Sequence, residues 1–200
     1  KSPCDIVVQG EGEIPLLRLA DGTPPSEIPG VIFKNRAESL NQELFDEATS
    51  ALEWEDIEYE PYWDYWVDYY KSKNQYSDQM DIEIHTVRVF ARNRCPIGCK
   101  FCVSTFQLTA ATGGNVPVIS STDANLVNVV KRIVDSHPRV RTIYFTDDDF
   151  CINKRAAIRT CKKLSEEEFG GLTFMCYSRI TDITEELVIA LKKANFRLLF

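Results

Sequence analysis

From residue 86 to the end of the chain the apolar positions switch repeatedly between two periods. Residues 86–91 alternate as a strand does, and residues 140–146, 172–177 and the run starting at Phe196 repeat that short apolar pattern. Between them the spacing becomes helical. Ser121, Thr122 and Asp123 can cap a helix whose Leu126, Val130, Ile133 and Val134 share one face. A second helix runs through Ala157, Ile158, Cys161 and Leu164, and a third, capped by Thr184, carries Leu187, Val188 and Leu191. Four strands joined by helical crossovers predict an α/β fold with a parallel sheet, and right-handed crossovers would curl that sheet toward a barrel. Near the start, residues 5–8 form a strand candidate. The turn Gln9, Gly10, Glu11, Gly12, Glu13 follows, and then an amphipathic helix with Ile14, Leu16, Leu17 and Leu19. Strand, glycine turn and helix make the layout of a ligand loop in doubly wound folds, although the third glycine of the dinucleotide fingerprint is absent and Gly10 and Gly12 also read as plain turn residues.

The stretch from about 35 to 79 differs. Trp54, Tyr59, Tyr62, Trp63, Tyr65, Trp66, Tyr69 and Tyr70 are interleaved with Glu53, Glu55, Asp56, Glu58, Glu60, Asp64 and Asp68. A stacking platform for nucleic acid needs a basic groove, so this segment reads as a connector whose rings cover apolar surface. The net charge of −7 and the lack of a basic tract also argue against a nucleic-acid partner. No apolar run approaches the roughly 20 residues of a membrane span. The seven cysteines are odd in number and clustered, which fits a reducing, cytoplasmic setting better than a disulfide framework. The chain opens into a strand and stops inside the apolar run Arg197, Leu198, Leu199, Phe200, and so reads as a piece of a longer protein.

Candidate chemistry is densest at Cys95, Pro96, Ile97, Gly98, Cys99, Lys100, Phe101 and Cys102. Three thiols fall within eight residues on a backbone that Pro96 and Gly98 bend. Thiolates select zinc, copper(I) or iron–sulfur clusters. Structural zinc usually takes two paired knuckles and four ligands, whereas this loop supplies three. Its site is either completed from afar, for instance as a zinc centre using His85 or a distant cysteine, or left open for chemistry. This loop, the triplet Asp147, Asp148, Asp149 and the pair Ser178, Arg179 each fall just past the end of a predicted strand, which is the rim where barrels of this kind build active sites. The triplet also reads as an Asp-rich helix N-terminus, and Arg179 as one half of a salt bridge. Cys151, Cys161 and Cys176 read as buried small hydrophobes; Cys4 has no assigned role.

The spacing C-x(3)-C-x(2)-C, with an aromatic before the last cysteine, resembles the radical S-adenosylmethionine superfamily. The resemblance implies that Cys95, Cys99 and Cys102 hold three irons of a [4Fe-4S] cluster, that S-adenosyl-L-methionine chelates the fourth, and that Phe101 lies against its adenine. The text Phe145, Thr146, Asp147, Asp148, Asp149, Phe150 is similar to the F-x-D-D-x-F of cobalamin-dependent members, which implies that Thr146, Asp147 and Asp148 receive the cofactor's ammonium and that Ser178 and Arg179 contact its carboxylate or ribose. Gly10, Glu11, Gly12 and Glu13, followed by Ile28, Pro29, Gly30, Val31, Ile32, Phe33 and Lys34, resemble the end of the cobalamin-binding domain in those enzymes. Neither His85 nor His137 lies in an Asp-x-His-x-x-Gly segment, so no cobalt ligand is assigned. The expected organisation is therefore residues 1–36 as the end of a Rossmann-like cobalamin-binding domain, 37–85 as a linker, and 86–200 as the first four strands of a partial parallel (β/α) barrel of radical SAM type. The implied activity is reductive cleavage of S-adenosylmethionine with cobalamin-dependent methyl transfer to, or other radical modification of, a small-molecule or peptide substrate. A flavodoxin- or ferredoxin-like electron donor is implied as partner. A cobalamin-independent radical enzyme and a zinc-stabilised binding module are the alternatives.

Overall fold

A computed structural model describes residues 6–8, 12–32, 42–102 and 118–200. It divides into two compact units, one formed by Lys1–Ala51 with Arg92–Ser121 and the other by Leu52–Ala91 with Thr122–Phe200.

In the first unit, β1 (Val7–Val8) pairs antiparallel with β2 (Val31–Ile32), Val7 opposite Ile32. Between them runs α1 (Glu13–Ala20), and α2 (Gln42–Ser50) follows. Arg18 on α1 reaches Glu47 on α2 at 3.2 Å. The apolar face of α1 differs from the expected one: Ile14 and Pro15 are buried, while Leu16 and Leu17 are 59% and 50% exposed. The 3.6-residue turn separates Leu16 from Ile14 by about 200°, so the two cannot share a narrow contact stripe.

The second unit holds α3 (Glu60–Ser72), α4 (Asp78–Ile84) and a sheet of four parallel strands in the order β3 (Thr86–Val89), β4 (Thr142–Phe145), β5 (Thr173–Cys176), β6 (Phe196–Leu199). The mixed α/β class and the parallel sheet expected from the alternation of periods are present. Three helices follow β3, β4 and β5 in turn: α5 (Asp123–Ser136), α6 (Lys154–Ser165) and α7 (Glu185–Lys193). Two of the expected caps form. Thr122 accepts from Asn125 N–H, and Thr184 from Leu187 N–H, both at 3.3 Å; such caps satisfy an N–H that the first helical turn leaves unpaired.

These helices cover one sheet face. Val87, Val89, Ile143, Phe145, Phe174 and Cys176 point into a core shared with Leu126, Val130, Ile133, Cys161, Leu164 and Leu187. Phe145 stacks on both Phe150 and Phe174, and Phe196 closes the ring group. Residues 52–85 belong to this unit as well. Trp54 and Trp63 are buried in the same core, and His137 donates its ring N–H to the Trp54 carbonyl at 2.8 Å. Tyr62, Tyr65, Trp66 and Tyr69 remain exposed along α3. Among the described residues no helix is long and apolar enough to cross a membrane.

Candidate functional site

The cysteine loop belongs to the first unit, and its base is clamped. Arg92 and Ser120 form an antiparallel bridge. Asn93 N–H donates to the Ile119 carbonyl at 3.1 Å, and Ile119 N–H returns a bond to the Asn93 side-chain oxygen at 2.9 Å. Above that base Gly98 takes a left-handed φ of +67°, and Cys102 N–H closes a turn on the Cys99 carbonyl at 2.9 Å. Cys95, Cys99 and Cys102 are half-buried, and none is in a disulfide. Phe101 is 93% exposed.

The donor chemistry, three soft part-exposed thiols on a turned backbone, fits a soft metal centre, an iron–sulfur cluster among them. Among the described residues no three His, Cys, Asp or Glu side chains converge as ligands of one metal ion. His85, the histidine considered as a completing zinc ligand, has both ring nitrogens engaged in the second unit. Nδ1 lies 2.9 Å from the Asp81 carbonyl oxygen, and Nε2 lies 3.2 Å from the Arg139 guanidinium.

At the C-terminal end of the sheet, the second unit divides the aspartate triplet among different tasks. Thr146 N–H continues the ladder to the Val89 carbonyl at 3.0 Å. Asp147 is buried and accepts the Ala91 N–H on both carboxylate oxygens. Asp148 is exposed. Asp149 is buried, accepting from Cys151 N–H at 3.1 Å and from Arg179 Nε at 2.8 Å. Arg179 also reaches Asp182 at 2.6 Å. Burial pushes the Asp149 carboxyl above the usual carboxylate range; the Arg179 bond opposes the shift, and the neighbouring Asp182 adds to it. The triplet is not a helix cap, since α6 is capped by Asn153, whose side-chain oxygen accepts from Ala156 N–H. Ser178 is half-buried, and its N–H donates to the Phe200 carbonyl at 2.8 Å.

The structure therefore brings Thr146, Asp147, Asp148, Ser178 and Arg179 to one end of one sheet, as their positions after β4 and β5 predict. Asp147 braces the backbone and Arg179 neutralises buried acids, while Thr146, Asp148 and Ser178 keep surface. Of the residues expected at a cobalamin site, Gly12 precedes α1 as its cap and Glu13 is an exposed first-turn residue. Gly10 and Glu11 lie outside the described residues, as does Cys4.

The second sheet face carries a feature that the motif reading passes over. A groove of about 520 Å³ lies there, lined by Trp66 and Tyr70 of α3, Arg88 of β3, Tyr144 of β4, Met175 of β5 and Phe200. The available signal was the polar or adaptable residue at alternate strand positions, Arg88, Tyr144 and Met175, opposite the strictly apolar set that faces the helices. No protein-family model matches the chain, and no curated protein matches it.

Proposed function

We propose that the chain is part of a cobalamin-dependent radical S-adenosylmethionine enzyme and that its parallel sheet is the first four strands of a partial barrel. The observation that carries this reading is the cysteine loop. The spacing of Cys95, Cys99 and Cys102, the left-handed Gly98 and three part-exposed thiols suit a three-thiolate cluster site. The acidic end of the sheet supports it, because Asp148, Thr146 and Ser178 offer an anionic, hydrogen-bonding rim suited to an ammonium group.

Cys95, Cys99 and Cys102 would hold a [4Fe-4S] cluster. When bound, the cluster and S-adenosyl-L-methionine supply one-electron reductive cleavage of the sulfonium, and cobalamin supplies a transferable methyl group. The chain's own residues bind and orient. The thiolates fix the cluster, Asp148 and Thr146 receive the cofactor's ammonium, and Asp147 with the Asp149–Arg179 pair stiffens the strand ends from which they project. Gly12 and Glu13 would meet cobalamin at the start of α1.

Anaerobic reconstitution with iron and sulfide should load about one cluster per chain, and Cys99→Ala should abolish loading with the fold intact by circular dichroism. Normal loading of that variant would refute the ligand assignment, and zinc without iron after anaerobic purification would favour the zinc-stabilised module. A cobalamin titration that shows no binding while the cluster loads would leave a cobalamin-independent radical enzyme.

A further inference from the structure

The groove on the open sheet face is built in register. Arg88, Tyr144, Met175 and Leu198 are successive partners across all four strands, so one row of side chains crosses the whole sheet on the face away from the helical core. Helix α4 closes one end, where Thr86 and Thr142 both donate their hydroxyls to the Ile82 carbonyl. Helix α3 supplies an aromatic wall, with Trp66 stacked on Tyr70 at 6.0 Å between ring centres.

Arg88 is the one basic residue among the described lining residues, and it is exposed. Its side chain makes no hydrogen bond or ion pair with any described residue. The lining acid, Glu83, accepts a bond from Gln79 at 2.8 Å. An unpaired guanidinium framed by Tyr144, Met175, Trp66 and Phe200 joins a planar bidentate donor to flat and polarisable apolar surface. The volume falls within the range of small-molecule sites.

We propose that this groove binds a small organic anion with a flat, apolar body, its carboxylate paired with Arg88 and its ring system lying between Trp66 and the Met175 row. The site lies wholly in the sheet-bearing unit and is argued without the cysteine loop, so it stands or falls separately from the cluster assignment.

The test is calorimetric titration of metal-free protein with 2-naphthoate and with its neutral isostere 2-naphthamide. Naphthoate should bind saturably and more tightly than the amide. Arg88→Gln should weaken naphthoate roughly tenfold or more, as expected for loss of a charge-assisted pair, and leave the amide unchanged. Arg88→Lys should restore part of the loss. Arg88 is exposed, so these variants should keep the parent melting temperature, which verifies the fold. Equal affinity for the two probes, indifference to Arg88→Gln, or no naphthoate binding because another segment or molecule covers the face would each overturn the proposal.

Discussion

Asp147 receives the Ala91 N–H on both carboxylate oxygens, 3.1 Å from each. Ala91 lies two residues past the end of β3 and Asp147 two past the end of β4, so the contact ties two adjacent strand exits together just beyond the ladder bond from Thr146 to Val89. The carboxylate is 3% exposed, and removing it leaves a buried N–H without this acceptor. Asp147→Ala should therefore lower unfolding stability by about 1–3 kcal/mol, the usual cost of an orphaned buried donor, and Asp147→Asn, which keeps one oxygen, should lose less. Urea unfolding of the three proteins measures this; equal midpoints for Asp147→Ala and the parent would show that the bond braces nothing.

The next carboxylate but one predicts a pH dependence of definite sign. Burial holds the Asp149 carboxyl above its ordinary range, against the opposing pull of Arg179. Folded Asp149 thus binds its proton more tightly than the unfolded chain does, and protonation favours the fold. Relative to Asp149→Asn, the parent should gain stability as pH falls through the raised folded value, with the gain complete below the unfolded value of about 4. Paired denaturation curves from neutral to acidic pH give the difference directly. A parent that loses ground to the variant on acidification would mean that the Arg179 attraction outweighs burial.

The contrast between these two aspartates shows what could be read from the sequence. Alternating periods located the strands, and the Thr122 and Thr184 caps followed from local chemistry, because a helix start depends on residues three apart. The position of 147–149 beyond β4 was likewise legible. Which aspartate is buried was not, since it depends on Ala91 and Arg179, which lie 56 and 30 residues away in sequence. Arg88 was hidden for a related reason: its significance comes from Tyr144, Met175 and Leu198 standing beside it in register, and register is a property of pairing between strands. The aromatic stretch reads as a connector because its rings can cover apolar surface, yet Trp54 and Trp63 are core residues of the sheet unit, with His137 satisfying the Trp54 carbonyl.

The described cysteines separate into two populations with different chemistry. Cys151, Cys161 and Cys176 are buried, and burial pushes the Cys161 thiol up to about 12. Cys176 is raised too, first by its hydrogen bond with Cys151 and then by burial. Thiolate is the reactive form. In metal-free protein at mildly alkaline pH, iodoacetamide should modify Cys95, Cys99 and Cys102 on the order of 100-fold faster than the buried three, whose labelling must wait for unfolding. Peptide mass spectrometry over a time course reads each site. Comparable rates for Cys161 and Cys99 would remove the distinction on which the ligand assignment depends.

Within the cysteine loop, Gly98 offers a test of backbone shape that leaves every sulfur in place. Its φ of +67° is left-handed, and an added Cβ would meet nothing within 4 Å. A side chain at this position is therefore disfavoured by conformation and not by crowding. Gly98→Ala should destabilise the turn by about 1–2 kcal/mol, Gly98→Asn by less because Asn tolerates that region, and Gly98→Val by more because its β-branch resists it. If the turn presents Cys95 on one side and Cys99 and Cys102 on the other to a shared cluster, iron and sulfide loading should fall in the order Gly, Asn, Ala, Val. Global melting should change little, because the residue is exposed. Loading that is indifferent to the series would show that the thiols do not depend on this bend, whereas loading that tracks φ preference would tie the left-handed glycine to the metal centre.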